Sequence, residues 1–388
     1  VVSSDVFRDY GSWYHAVFAI DLSQSSYSNA VKLYVNGRQI TSFSNTLYSS
    51  GYTPTINSSS YTHYINGYYD TNGGWTYGDG YIAEYNFIDG QQLTPSSFGQ
   101  YDSNNVWQPI KYTGTYGTNG FYLPFNDATS TTTIGYDRQL GLTDSSKNNW
   151  TSSGISVTSG TTYDSMIDSP TSYNDGGNNR GSYAVLNPID SGGTNQLIDG
   201  NLTFYTQTGV GNMITKNSTF WASSGKWYFE VTVNNGSATS VTNTGACGIM
   251  CYDPAVTSPT RGGGIGYGGN DFMWRYDGYL ASNGGTTAYG TAVNANYDVV
   301  MCAYDHAVGI WFGKNGTWFG SGNPATGANP SYSLVDSRMK PSIQSIHGGG
   351  GTMVNVLNFG QRPFAYTPPT GFKALNSYNL ANPSLPLV

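Results

Sequence analysis

"VGIWFGKNGTWFG", Val308–Gly320, carries the pattern of a β-hairpin. An apolar run meets Asn315-Gly316 and returns as a second apolar run. Asn-Gly tolerates positive φ at both central positions of a type I′ turn, so it closes β-hairpins. A cousin lies far upstream in "KLYVNGRQITSF", Lys32–Phe43, centred on Asn36-Gly37. Pairing across that turn sets Leu33 opposite Ile40 and Tyr34 opposite Gln39. One face is then apolar and the other polar, as a sandwich strand requires.

Each hairpin follows an apolar strand that ends in aspartate. The first is "SWYHAVFAIDL" from Ser12, the second "ANYDVVMCAYD" from Ala295. The order is the same in both: aromatic, polar, apolar strand, Asp, loop, strand, Asn-Gly, strand. Two jelly-roll domains of related architecture account for it. The echo is too thin for a recent repeat.

Residues 51–78 are a Tyr/Gly/Asn/Ser loop region with one weak strand. "GDGYIAEYNFIDGQQLTPSSF" predicts a strand over Tyr81–Ile88, a turn at Asp89-Gly90 and a short helix capped by Thr94 with Pro95 first. "GFYLPF", Gly120–Phe125, is a further strand candidate. Residues 126–180 read as an irregular connection that packs in part. From 181 the strand candidates are "SYAVLN", "NLTFYTQ", "KWYFEVTV", "GACGIMCY", "YDVVMCAYD", "GIWFGKNGTWFG", "KPSIQSI" and "MVNVLNF". The expected fold class is all-β. It has two antiparallel jelly-roll β-sandwich domains, 1–125 and 181–376, an irregular connection between them and a tail over 377–388.

The chain has 388 residues, with Gly 51, Tyr 33 and only 10% charged residues, which describes a polar but mostly uncharged surface. Its 16 basic residues are scattered among 23 acidic ones, so no basic stripe offers itself to nucleic acid. No apolar run approaches the length of a bilayer span, and membrane insertion is not expected. No signal peptide opens the chain. Lacking an initiator methionine, it reads as a processed or partial product. Cys247 and Cys251 would lie roughly 13 Å apart on one strand face, too far to bridge. With Cys302 they read as buried small hydrophobes.

"SSGKWYFEVTV", "ACGIMCYDP", "YDVVMCAYDHAVGIWFGKNGTWFG" and "VNVLNFGQRPFAY" occur in the order found in SPRY domains, and residues 200–375 resemble that family. The middle motif, "GGGIGYGGNDFMWRYDGYLASNGG", resembles the family's "GY…DG…NG" stretch. It departs at "FMWRY", which implies a loop recognising something else. "WYHAVFAID", "KLYVNG" and "GDGYIAEYNFIDGQQLTPSSFG" resemble laminin-G-like, concanavalin-type modules over 1–125. Such modules have several strands before "WYH", where this sequence shows only "VVSSDVFRDYGS". "FYLPFND" and "LTDSSKNNWTS" resemble the segment that opens such modules, so 120–160 is expected to fold back and complete the first sandwich. The tandem pairing, with its Tyr/Asn/Gly/Ser-rich text, is similar to bacteriophage tail-fibre and other virion-surface proteins. That resemblance implies a place on the surface of an extracellular particle, assembled in a host cytoplasm whose reducing chemistry suits a disulfide-poor chain.

Catalytic signatures are sparse. Concanavalin-type folds host glucanases, which need paired carboxylates. This chain has two glutamates, Glu84 and Glu230, neither with a carboxylate two or four residues away. Glu230 matches the structural strand glutamate in "YFEV" of the SPRY pattern. His15, His63, His306 and His347 show no ligand spacing. "GGGIGYGG" and "HGGGG" lack the Lys-Ser/Thr of a phosphate loop. The chain therefore reads as non-enzymatic.

Recognition surfaces remain. Aromatic rings stack on sugar C–H faces, and Tyr with Ser, Gly and Asn makes good general paratopes. Two loops carry that mix. One, "YYDTNGGWTYGD", offers Tyr68, Tyr69, Trp75 and Tyr77. The other, "NDFMWRYDGY", offers Asp271, Trp274, Arg275, Tyr276 and Asp277. The laminin-G resemblance adds calcium, for which Asp70, Asn72 and Asp79 are the candidate oxygens. The functional expectation is a virion appendage that binds a host-surface glycan or protein receptor and docks on other virion proteins. It is expected to be a homo-oligomer, a trimer being common among such proteins. The alternatives are a purely structural capsid-decorating or appendage-joining protein, and a polysaccharide-degrading enzyme built on converging aspartates.

Overall fold

Both Asn-Gly pairs turn as their chemistry demands. Asn36 and Gly37 have φ 48° and 77°, and Asn315 and Gly316 have 49° and 82°. Asn283-Gly284 repeats the geometry at 49° and 76°. The structure is a computed structural model. It describes residues 2–8, 12–45, 55–70, 73–78, 80–103, 105–127, 130–139, 147–157, 164–171, 180–188, 197–205, 213–234, 245–251, 271–294, 296–333, 339–346 and 353–380. The chain divides into two compact units, 1–157 and 158–388.

Unit 1 is built from short antiparallel pieces. β1 (Val2–Ser3) pairs β5 (Phe43–Asn45). β2 (Ala16–Ile20), β3 (Val31–Val35) and β4 (Arg38–Ile40) form a three-stranded sheet, entered through the one-turn α1 (Tyr27–Ala30). Leu33 faces Ile40 and Tyr34 faces Gln39, as the turn required. β6 (Gly67–Asp70) pairs β7 (Gly74–Tyr77). β8 (Tyr85–Phe87), β9 (Gly99–Tyr101), β10 (Trp107–Pro109) and β11 (Phe121–Leu123) complete the unit, β9 pairing β10 and β8 pairing β11.

Two expectations change in detail. The strand predicted over Tyr81–Ile88 shortens to β8, because Glu84 sits at φ 54°, outside the strand region. The predicted short helix is a single 3₁₀ turn, Pro95–Ser97, behind Thr94. Residues beyond β11 pack within unit 1. Phe121 meets Trp150 at 5.1 Å between ring centroids. The buried Asp137 carboxylate accepts from the Tyr122, Gln139 and Asn148 amides at 3.0–3.1 Å.

Unit 2 is a sandwich of two antiparallel sheets. Its strands are β12 (Leu197–Ile198), β13 (Thr203–Tyr205), β14 (Met213–Asn217), β15 (Lys226–Asn234), β16 (Gly245–Cys251), β17 (Asp271–Arg275), β18 (Tyr279–Ser282), β19 (Gly285–Ala288), β20 (Asp298–Asp305), β21 (Gly309–Lys314), β22 (Thr317–Trp318), β23 (Tyr332–Ser333), β24 (Met339–Ile346) and β25 (Val354–Asn358). One sheet runs β12-β13-β25-β15-β20-β21-β22, with β23 on β21. The other runs β14-β24-β16-β17-β18-β19. A single core joins their inner faces, with Phe229, Val231, Cys302 and Phe312 from the first and Cys247, Ile249, Trp274 and Ile343 from the second. "SYAVLN" forms isolated bridges rather than a strand, Tyr183 to Asn376 and Leu186 to Ser218.

β20 is buried along its whole length, which explains why "DVVMCAYD" is apolar on both faces. The outer face of its sheet carries Tyr228, Met301, Ala303 and Trp311, and Phe364, Tyr366 and Phe372 of the returning C-terminal segment cover them. Glu230 holds that segment in place. Its carboxylate accepts from the Ala365 amide at 2.8 Å, the Tyr366 amide at 2.9 Å and the Tyr228 hydroxyl at 2.7 Å.

Candidate functional site

Strand alternation decides what the β6–β7 hairpin presents. Its register sets Gly67 opposite Tyr77, Tyr68 opposite Thr76 and Tyr69 opposite Trp75. Side chains alternate along a strand, so Tyr69, Trp75 and Tyr77 share one face and Tyr68 with Thr76 takes the other. On the shared face Trp75 is the hub. It meets Tyr69 at 5.2 Å, lies parallel to Tyr77 at 5.9 Å with 5° between planes, and receives Tyr64 edge-on at 4.8 Å.

Such a cluster would ordinarily be a core, but here it faces solvent. Tyr64 is 50% exposed, Tyr69 50%, Trp75 45% and Tyr77 70%, with Tyr68 at 64% behind them. Gly67 opens the space beneath: a Cβ there would stand 3.7 Å from Tyr77 and 3.9 Å from Trp75, so a longer side chain would push into the rings. The base of the hairpin is fastened by the Gly78 amide to the Asn66 carbonyl at 3.1 Å and by Asn66 Nδ2 to the Gly78 carbonyl at 3.3 Å. His63 ties the approach, its ring nitrogens meeting the Tyr61 and Thr55 carbonyls at 2.9 and 3.1 Å.

Tyr64 escaped the sequence reading, because nothing in "HYING" distinguishes it from the other loop tyrosines. Asn72, Asp79 and the side chain of Asp70 lie outside the described residues, and the calcium expectation lies there with them.

The second expected loop is a correction. Asp271, Trp274, Arg275, Tyr276 and Asp277 do not line an open surface. β17 sends Phe272 and Trp274 inward and Asp271, Met273 and Arg275 to its other side. Trp274 is fully buried against Phe319, and its Nε1 donates to the Tyr289 carbonyl at 2.8 Å. Tyr276 is fully buried, its hydroxyl 2.9 Å from Asn355 Oδ1. Asp271 is also buried and accepts from Gln344 Nε2 at 2.9 Å. Arg275 is spent on Asp277, at 3.1 and 2.5 Å, and stands over the Tyr279 ring. The period-two pattern of "DFMWR" signals a strand. Its aromatic content misleads when read as loop.

Compared with known proteins, no family model matches the chain and no curated protein matches it. Among solved structures, the SPRY domain of human HERC1 matches at 16% identity and a TM-score of 0.35, covering 46% of this chain and 99% of that one.

Proposed function

We propose that this chain is a non-enzymatic, tail-fibre-like virion appendage that recognises host-surface glycan through the aromatic face of the β6–β7 hairpin, on a laminin-G-like unit followed by a SPRY-like one. The observation that carries the reading is the solvent-facing set of Tyr64, Tyr69, Trp75 and Tyr77. Ordering such rings in water has no stability benefit comparable to burying them, and large exposed apolar patches mark interaction sites. Rigid tyrosines and tryptophans give contact area at low entropy cost. A chain with only 10% charged residues suits a polar, neutral ligand such as a sugar chain. Glu230, whose burial pushes its pKa upward, is committed to holding the C-terminal segment.

The test is binding of the purified protein to a broad glycan array, with and without a calcium chelator. Saturable binding to a defined sugar class supports the reading, and chelator sensitivity would add a metal. Absence of binding by folded protein would favour a purely structural appendage role.

A further inference from the structure

The β-sheet edges of unit 2 are unequally treated. At β14 the chain covers its own edge: Leu186 bridges Ser218, the Asn187 amide donates to the Asn217 carbonyl at 2.7 Å and the Thr219 amide to Val185 at 2.7 Å. β12 and β22, at the ends of the other sheet, are two residues each. β19 is different. It is four residues long, ends its sheet among the described residues and is exposed throughout.

Its hydrogen-bonding groups can be assigned by alternation. In a two-residue hairpin the closing pair, here Ser282–Gly285, exchanges both backbone bonds, and every second residue then faces the partner strand. Gly285, Thr287 and Tyr289 face β18, as the Tyr289 amide bonding the Gly278 carbonyl at 2.8 Å attests. Thr286 and Ala288 therefore turn their N–H and C=O groups away from the sheet. Natural edges are guarded by Lys, Pro, bulges or inward charges. From Tyr279 to Tyr297 the sequence holds no charged residue and no proline.

We propose that β19 is a self-docking edge, on which two copies of this chain pair antiparallel about a two-fold axis at Thr287. That register sets Thr286 opposite Ala288 of the copy and Ala288 opposite its Thr286, which satisfies all four outward-facing groups of each strand. Thr287 meets its own copy as the non-hydrogen-bonded pair, where side chains come closest and threonine pairs are favourable. The contact is isologous, so it closes at two copies. No charge on β19 opposes it. The inference is independent of the glycan reading, since it concerns unit 2 alone.

Sedimentation equilibrium over a concentration series tests it with the full chain. The wild type is expected to be a dimer. Thr287→Lys and Thr287→Glu each place like charges across the axis and are expected to weaken self-association at least tenfold. Mixing the two variants is expected to restore a dimer, which also shows that neither is misfolded. A monomeric wild type, a trimer, or a dimer indifferent to both substitutions would overturn the proposal.

Discussion

Trp107 shows how single residues organise unit 1. Its indole lies where two glycines leave room: a Cβ on Gly99 would stand 2.3 Å from Cζ2, and one on Gly37 would stand 2.4 Å from Cε3. Gly37 also has φ 77°, which an alanine adopts at a cost. Gly99→Ala is expected to destabilise unit 1 by about 1–3 kcal/mol through overpacking, read as a lower denaturation midpoint. Trp107 Nε1 donates to His15 Nδ1 at 3.0 Å, so that nitrogen must carry no proton. Burial lowers the His15 pKa below its ordinary 6.5. As pH falls through 6.5 the unfolded chain takes up a proton that the folded chain resists, so stability is lost toward acid. Melting of the wild type should fall more between about pH 7.5 and about pH 5 than melting of His15→Gln. In unit 2, Cys247 and Cys302 are fully buried free thiols whose pKa values burial pushes up. Both should resist thiol-specific labelling in the native protein and react on unfolding, as peptide mapping would show.

At the scale of elements, hairpins were the most legible feature of the sequence. Asn36-Gly37 and Asn315-Gly316 announce a turn because both positions need positive φ, a local demand that no distant contact alters. Glu84 shows the limit: a glutamate at φ 54° carries no local signal, and the strand begins only after it, at Tyr85. "FMWRY" shows another. Its alternation was visible, but which face was inward depended on the opposing sheet. Tyr68, Tyr69, Trp75 and Tyr77 were legible as a group through the composition of their segment, while the turning of Tyr68 to the other face depends on the hairpin register and Tyr64 joins only through the path of the intervening loop. The role of Glu230 was legible as structural, although its three donors, two of them 135 and 136 residues away, were not. Glu230→Ala leaves those buried donors unmatched. It should cost about 2–4 kcal/mol, more than Glu230→Gln, which keeps an acceptor. Chemical denaturation of the pair would check the order.

For the whole molecule, Trp274 and Trp75 stand at opposite ends of a physical scale. Trp274 is sealed in the core of unit 2, whereas Trp75 stands 45% exposed on unit 1. Trp274→Ala should remove about 3–5 kcal/mol of stability by opening a cavity. Trp75→Ala should leave stability nearly unchanged and act on binding alone, because it removes the hub of the exposed rings. The most direct measurement is glycan-array binding by the wild type beside Trp75→Ala and Tyr77→Ala, with melting curves of all three. The wild type is expected to bind a defined sugar class, and each variant, with an unchanged melting curve, to lose at least tenfold in affinity, a loss of about 1.4 kcal/mol or more. Undiminished binding by folded Trp75→Ala and Tyr77→Ala, or no sugar bound by the wild type, would overturn the glycan-binding role of the exposed rings.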